Sequence, residues 1–270
     1  MKIKQVIDAL EQFAPLPLQE SYDNAGLQVG LTEAEVSGAL LCLDVNEQII
    51  DEAVALGCNL VVAHHPLIFR RLSCISDFNY VQRTVMKAIQ QGVTIAAMHT
   101  NLDNAVNGVN YMIARKMGLT DIGPMNGGVC PPGNDDPSAK VQGVKGTLPE
   151  ALDAEAFISM VKETFHVECA MCNELLKKPV RTVAVCGGAG SFLLGDAIAA
   201  GADAFVTGEM GYHEFFGHEQ QIQIVVIGHY QSEQFTTEIF RDIIAKDCPD
   251  VKTFIAEINT NPIYSSVGGR

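Results

Sequence analysis

The sequence predicts an α/β protein of two interleaved, similar α/β sandwich units that form an internal duplication. Short apolar segments alternate with helical patterns, two pairs of segments repeat, and polar residues follow several of the predicted strands. Six segments are nearly continuous in apolar residues, as in strands covered on both faces: Gly38–Asp44, Asn59–Ala63, Val93–Met98, Val180–Cys186, Ala204–Thr207 and Ile222–Gly228. Helical patterns occupy Glu47–Leu56, Asp153–His166 and Asp196–Ala200, and the apolar spacing from Ile3 to Phe13 predicts an N-terminal helix.

Two pairs of segments support the duplication. ALGCNLVVAHHP can be aligned with AAGADAFVTGEM, which sets His65 over Glu209. GVTIAAMHTNLD aligns with QIVVIGHYQSE, so that a strand followed by His-x-x-x-carboxylate occurs in each half. The expected organisation is a first unit at residues 1–122, a Gly/Pro-rich loop or linker at 123–150 and a second unit at 151–270. The two units are expected to pack as one intertwined body, with a metal site between them at the strand carboxyl ends.

The charge balance excludes several kinds of partner. The chain has 18 basic and 32 acidic side chains and a formal net charge of −14, so neither nucleic acid nor an anionic membrane is an expected partner. No apolar run approaches the roughly 18 residues that span a bilayer, so a cytoplasmic location is expected. Cys169 and Cys172 form one CxxC without a second pair at zinc-ribbon spacing, which favours a structural role over a redox or zinc role.

Three polar clusters follow predicted buried strands and carry the most informative chemistry. They are His64 with His65, His99 with Asp103, and His229 with Glu233. Imidazole and carboxylate are ligands for Zn, Mn or Fe, and the carboxyl ends of strands are where open α/β sheets bind ligands. With this many nitrogen and oxygen ligands, two metal ions that share a carboxylate are more natural than one. In the third cluster, the i, i+4 spacing puts both side chains on one face if a helix begins there.

Other residues near these clusters have two interpretations each. Arg70 and Arg71 follow the first cluster and are either a phosphate-binding pair or a solvated surface pair. Asp23 and Asn24 are either turn-forming residues or part of the site. The CGGAGS segment, residues 186–191, is either an anion-binding loop or a tight turn that allows close packing.

Candidate proton-transfer groups also lie after predicted strands. Glu209 and His213 are interpreted as acid/base residues or as partners of the ligand side chains. His99 is interpreted as such a partner or as a proton shuttle, because a metal-bound histidine needs a hydrogen-bond partner that fixes its tautomer.

At these residues the sequence resembles the NGG-one-interacting-factor-three-like family, the type 2 GTP cyclohydrolase I homologues. The matching motifs are YDNAGLQVG (Tyr22–Gly30), HHPLIF (His64–Phe69), HTNLD (His99–Asp103), TGEMGYHE (Thr207–Glu214) and GHYQSE (Gly228–Glu233). The chain departs from the family in having Tyr22 where Trp is usual. It also has Lys145 in a glycine-rich stretch that often contains Arg.

The resemblance implies a function and an assembly. It implies a centre of two divalent ions (Zn, Mn or Fe), with ligands His64, His65, Asp103, His229 and Glu233. It also implies a toroidal homohexamer and a hydrolase acting on a small-molecule substrate, through purine nucleotide ring opening of GTP or a related hydrolysis such as that of phosphoesters. The alternative is a non-catalytic metal-binding regulatory or metal-delivery protein.

Overall fold

The fold is that of a computed structural model, which describes residues 1–125 and 140–264. Its α-helices are α1 (Ile3–Phe13), α2 (Glu47–Ala55), α3 (Tyr80–Gln91), α4 (Thr100–Asp103), α5 (Val109–Lys116), α6 (Ala154–Phe165), α7 (Leu194–Ala199), α8 (His229–Glu233) and α9 (Thr236–Asp247). Its strands are β1 (Gly26–Val29), β2 (Ala39–Cys42), β3 (Leu60–Ala63), β4 (Thr94–Ala97), β5 (Thr120–Pro124), β6 (Val144–Leu152), β7 (Met171–Cys172), β8 (Val180–Cys186), β9 (Ala204–Thr207), β10 (Gln223–Val226) and β11 (Thr253–Ile255). Short 3-10 helices occur at Leu16–Leu18, Ser191–Leu193 and Tyr212–Phe215.

The chain divides into two compact units, each with its own sheet. Unit 1 comprises Met1–Ala105 and Thr236–Asn261, and unit 2 comprises Val106–Phe235 and Pro262–Arg270. The sheet of unit 1 has the strand order β1-β4-β3-β2-β11, and only β1 is antiparallel to its neighbour. The sheet of unit 2 has the order β5-β6-β8-β9-β10-β7, with a parallel centre of β8, β9 and β10.

Each sheet has its own central trio of adjacent parallel strands, and this similarity supports the predicted duplication. In unit 1, β2, β3 and β4 are adjacent, and their last residues pair in register as Cys42, Ala63 and Ala97. In unit 2, β8, β9 and β10 do the same through Cys186, Thr207 and Val226. Each trio ends in an antiparallel edge strand, β1 beside β4 and β7 beside β10. The predicted α/β class is confirmed.

All six predicted strands are present because their side chains are buried on both faces. Strands β2, β3, β4, β9 and β10 are buried along their whole length. Helices α2 and α6 begin where they were expected, since the side chains of Asn46 and Asp153 accept hydrogen bonds from the exposed N–H groups of their first turns. Among the described residues, no helix has the length and apolarity needed to cross a membrane.

The unit boundaries differ from the expected ones. Unit 1 ends at Ala105 and regains residues 236–261, which supply α9 and the edge strand β11. Both ends of the expected 123–150 loop belong to strands, because β5 includes Gly123 and β6 begins at Val144. Strand β6 is partly exposed and antiparallel, so it lacks the continuous apolar run that revealed the other strands. Residues 126–139 of that segment lie outside the described residues.

Candidate metal centre

His64 follows β3 directly and is fully buried. Its Nδ1 lies 2.8 Å from the carbonyl oxygen of Met98. A carbonyl only accepts, so Nδ1 carries the proton and a neutral ring has its lone pair on Nε2. Nε2 in turn lies 3.6 Å from Oδ1 of Asp103, the last residue of α4. Two electron-pair donors that face one another suit a shared cation.

His65 is oriented by a carboxylate. Its Nδ1 lies 2.8 Å from Oδ1 of Asp44, whose Oδ2 accepts a hydrogen bond of 2.9 Å from the hydroxyl of Thr260. Burial raises the pKa of Asp44, but the hydrogen bonds from His65 and Thr260 and the nearby imidazoles outweigh it and hold the pKa below its usual value. The ionised carboxylate therefore keeps the proton of His65 on Nδ1 and directs Nε2 away from Asp44.

Asp44→Asn is expected to weaken metal binding about 10- to 100-fold, the usual cost of losing the outer partner of a metal-bound histidine. The amide carries no charge with which to hold the His65 ring in one tautomer. Isothermal titration with Mn²⁺ measures the change. Asp51→Asn is the control, since Asp51 is an exposed carboxylate paired with Lys87; equal affinities for the two variants would contradict the assigned role.

His99 forms a similar pair with Asp23. Its Nδ1 lies 2.7 Å from Oδ1 of Asp23, and Oδ2 of Asp23 accepts hydrogen bonds from the backbone N–H and the hydroxyl of Thr100. The ring centroid of His99 is 5.4 Å from that of His64 and 5.5 Å from that of His65. His99 thus lies beside the two histidines of the first cluster, and Asp23 is its hydrogen-bond partner.

The pKa of Asp23 has a consequence for stability in acid. Burial raises this pKa, but hydrogen bonds from His99, Thr100 and the backbone of Asn24 lower it to about 2, against an ordinary 3.8. The carboxylate therefore stabilises the fold fully above about pH 4, and this contribution disappears as the pH falls to about 2. We expect Asp23→Asn to cost about 2 kcal/mol at pH 5 and close to nothing at pH 2. Urea denaturation of metal-free protein at both pH values checks this, and a cost independent of pH would contradict it.

The segment that follows Asp23 holds the loop after β3. The side-chain amide of Asn24 donates to the carbonyl of Ile68 at 2.7 Å, and the backbone N–H of Ile68 donates to Oε1 of Gln28 at 3.1 Å. The motif YDNAGLQVG therefore has two local roles. It supplies the partner of His99 and fixes the backbone that follows His65.

In unit 2, His229 and Glu233 lie on one face of α8, as the i, i+4 spacing predicted. Nε2 of His229 lies 3.3 Å from Oε2 of Glu233, which is almost completely buried. Nδ1 of His229 lies 2.9 Å from Oε1 of Glu209. Glu209 therefore contacts His229 in the way that Asp44 contacts His65, which favours its interpretation as a partner of a ligand side chain.

The glycine-rich loop after β8 packs closely against this pair. The N–H groups of Gly187 and Gly188 donate to side chains of unit 2, Oδ1 of Asn110 and Oγ of Ser232, at 2.9 Å each. A Cβ on Gly188 would clash with Oε1 of Glu233 and approach Nε2 of His229 to 3.3 Å. The structure favours the tight-turn interpretation, because these two N–H groups already have protein partners.

Gly188→Ala is expected to destabilise the protein by more than 1 kcal/mol. The positive φ of 58° is strained for alanine, and the added methyl would displace Glu233. Gly195→Ala in α7 is the control, since a Cβ there meets nothing within 4 Å and alanine favours a helix. Chemical denaturation measures both, and equal effects would contradict the close packing at Gly188.

Five residues of the candidate site have the same position relative to a strand. Asp44, His65, His99, Gly188 and Glu209 each lie two residues beyond the end of a parallel strand, after β2, β3, β4, β8 and β9 respectively. Sequence reasoning missed Asp44, although this shared position would have revealed it at the end of GALLCLD. It also missed Thr260, which no strand or motif marks.

Three other groups that the sequence singled out do not take part in the histidine–carboxylate pairs described above. The ring of His213 is exposed and contacts those of Tyr212 and Phe216. Arg70 and Arg71 are exposed and form no ion pair within residues 1–125 and 140–264. Cys169 and Cys172 are both free thiols, and burial raises the pKa of Cys172 to about 11, which disfavours a reactive CxxC.

The donor set suits a divalent metal ion. Within unit 1, His64 and His65 each offer one ligand atom for such an ion, and within unit 2 Glu233 offers one. Imidazoles oriented through Nδ1 and buried carboxylates are the ligands that Zn, Mn and Fe bind, and the chemistry of the side chains therefore fits such ions.

The duplicated strand trio and the histidine–carboxylate pairs define an α/β protein with metal-ligand chemistry at its strand ends. The model of the Duf34/NIF3 (NGG1p interacting factor 3) family matches residues 1–262, and the chain belongs to this family. It is 30% identical to the GTP cyclohydrolase 1 type 2 homolog of Lactococcus lactis subsp. lactis, over 98% of this chain and 99% of that protein. It is 27% identical to NIF3-like protein 1 of Drosophila melanogaster, over 98% of this chain and 89% of that protein. The crystal structure of Staphylococcus aureus protein SA1388 superposes with a TM-score of 0.88 and 25% identity, covering 98% of this chain and 99% of that one.

Proposed function

We propose that the protein is a metal-dependent hydrolase with two divalent ions bound by His64, His65, Asp103, His229 and Glu233. The observation that carries the proposal is the shared orientation of the three histidines, each held at Nδ1 by an oxygen within 2.9 Å. A histidine held in this way has Nε2 as its ligand atom. The names of similar proteins, GTP cyclohydrolase 1 type 2 homologs, add support for hydrolysis of a nucleotide.

The bound ions would supply Lewis acidity and lower the pKa of a water molecule. The protein's own residues would orient the ligands and move protons. Asp44 and Glu209 hold His65 and His229 in one tautomer. His99, held at Nδ1 by Asp23, is placed to exchange a proton at Nε2. His213 is a second candidate for proton transfer.

The proposed reaction is hydrolysis of a small-molecule substrate, with ring opening of a purine nucleotide as the first candidate and phosphoester cleavage as the second. Arg70 and Arg71 would bind the phosphate, because both are exposed and neither has an ion-pair partner in the described part of the chain. The proposed assembly is a toroidal homohexamer, which sedimentation of the purified protein would test.

The experiment is to purify the protein without an affinity tag and load it with Mn, Zn or Fe. Consumption of GTP and of a panel of phosphoesters is then followed with each metal. We expect turnover that chelation abolishes and metal restores. Tight metal binding with fast exchange and no turnover of any compound would contradict the hydrolase and favour a metal-delivery or regulatory protein.

A further inference from the structure

Two aromatic rings beside the first histidine cluster are exposed to solvent. The side chain of Tyr22 is 65% exposed and that of Phe69 is 46% exposed. Their centroids are 6.4 Å apart with 64° between the ring planes, an edge-to-face arrangement. Two exposed rings in contact form an apolar surface on which another aromatic ring can stack.

The pair is held in place and lies next to a proposed proton-transfer residue. The hydrogen bonds of Asn24 and Gln28 to Ile68 tie the backbone after Tyr22 to the backbone before Phe69. The Phe69 ring is 6.1 Å from the His99 ring, at 84°. A molecule stacked on the aromatic pair would therefore be close to His99.

Positive charge follows the pair directly in the sequence. Arg70 and Arg71 come immediately after Phe69 and are exposed, and neither forms an ion pair in the described part of the chain. The chain has a net charge of −14, but within residues 1–125 and 140–264 these two adjacent guanidiniums have no acidic ion-pair partner. They suit an anionic group such as a phosphate.

We infer that Tyr22 and Phe69 form a stacking platform for a planar heteroaromatic ring of the substrate, whose anionic group Arg70 and Arg71 receive. This inference rests on the proposed hydrolase and narrows its substrates to compounds with a planar ring and a phosphate. An aromatic face accepts any base, so the platform would favour rings over open-chain phosphates without choosing strongly among bases.

The test measures binding to the full-length, metal-loaded protein. The probe is 7-deazaguanosine 5′-triphosphate, which keeps the planar ring and the phosphates but lacks the N7 of the ring that would be opened. Ribose 5-triphosphate is the probe that lacks the planar heteroaromatic ring. We expect Tyr22→Ala and Phe69→Ala each to raise the Kd of the ring-containing probe about tenfold and to leave that of ribose 5-triphosphate unchanged. Tyr22→Phe should bind the ring-containing probe as the wild type does. The double variant Arg70→Ala with Arg71→Ala should bind both probes more weakly.

Phe78→Ala is the matched control, since Phe78 is 85% exposed in the same unit and forms no ring contact with a described residue. The inference is overturned if the Tyr22 and Phe69 variants bind the ring-containing probe as tightly as the Phe78 variant does. The inference is also overturned if these variants raise the Kd of both probes equally, or if they change only the mass of the protein assembly in sedimentation. A wild type that binds neither probe overturns it as well. Hydrolysis by the wild type is measured separately: its absence with ring binding intact defeats only the proposed function.

Discussion

Glu233→Gln is expected to lower metal-dependent hydrolysis by at least about a hundredfold while the protein stays folded. Loss of an outer partner alone costs about 10- to 100-fold, and Glu233 is proposed as a ligand itself. The amide keeps the size of the side chain, so the packing against Gly188 is preserved. It loses the negative charge that, beside Nε2 of His229, makes this position suitable for a cation.

The result is read from turnover, metal content and thermal unfolding together. Metal should raise the Tm of the wild type and raise that of Glu233→Gln far less, since a ligand that binds only the folded state stabilises it by RT ln(1 + c/Kd), where c is the free ligand concentration. Without metal, the two should unfold at similar temperatures. Glu163→Gln, at an exposed glutamate on α6, is the control and should behave as the wild type. Full activity in Glu233→Gln would contradict the proposed role of Glu233 as a metal ligand.

His64→Asn is expected to reduce the metal bound at equilibrium by more than tenfold. The side-chain amide nitrogen of asparagine can occupy the place of Nδ1 and keep the hydrogen bond to the carbonyl of Met98, which has a length of 2.8 Å in the wild type. It offers nothing at the place of Nε2, which faces Asp103. The substitution therefore removes a proposed ligand with little change in the surrounding hydrogen bonds.

His64→Gln separates the ligand from the fold. Its longer side chain can reach the Nε2 position but leaves the Met98 carbonyl without its donor, so we expect partial metal binding with lower stability. His218→Asn serves as the control because His218 is only half-buried and its Nδ1 lies 3.3 Å from Oε1 of Gln221, away from the proposed ligands in the sequence. The metal content of each variant, measured by elemental analysis, tests whether His64 is a ligand. Equal content in His64→Asn and His218→Asn would contradict a ligand role for His64.

Most of the fold was predictable because the central strands are buried on both faces. The runs that became β2, β3, β4, β8, β9 and β10 are almost purely apolar, which is typical of parallel strands covered on both faces. Strand β6 escaped prediction because its first residues alternate between buried and half-buried and most of its later ones are exposed, so it has no continuous apolar run. The return of residues 236–261 to unit 1 leaves no local trace in the sequence, because the pairing of β11 with β2 joins segments about 200 residues apart.

The candidate site was predictable where residue type and position coincide. His65, His99 and Glu209 follow apolar strands, so both the chemistry and the location were readable. Asp44 has the same position, but a single aspartate after a strand resembles an ordinary turn residue until its hydrogen bond to His65 is seen. Thr260 acts on His65 only through Asp44, and such an indirect contact depends on the fold rather than on any local pattern.

The metal content of the untagged protein is the most direct test of the proposed two-ion centre. We expect about two equivalents of Zn, Mn or Fe per chain after loading. They should be removed by chelation with the fold retained, and at least one should be lost in both His64→Asn and Glu233→Gln. Less than about a tenth of an equivalent in the loaded wild type, or an unchanged content in both variants, would contradict it.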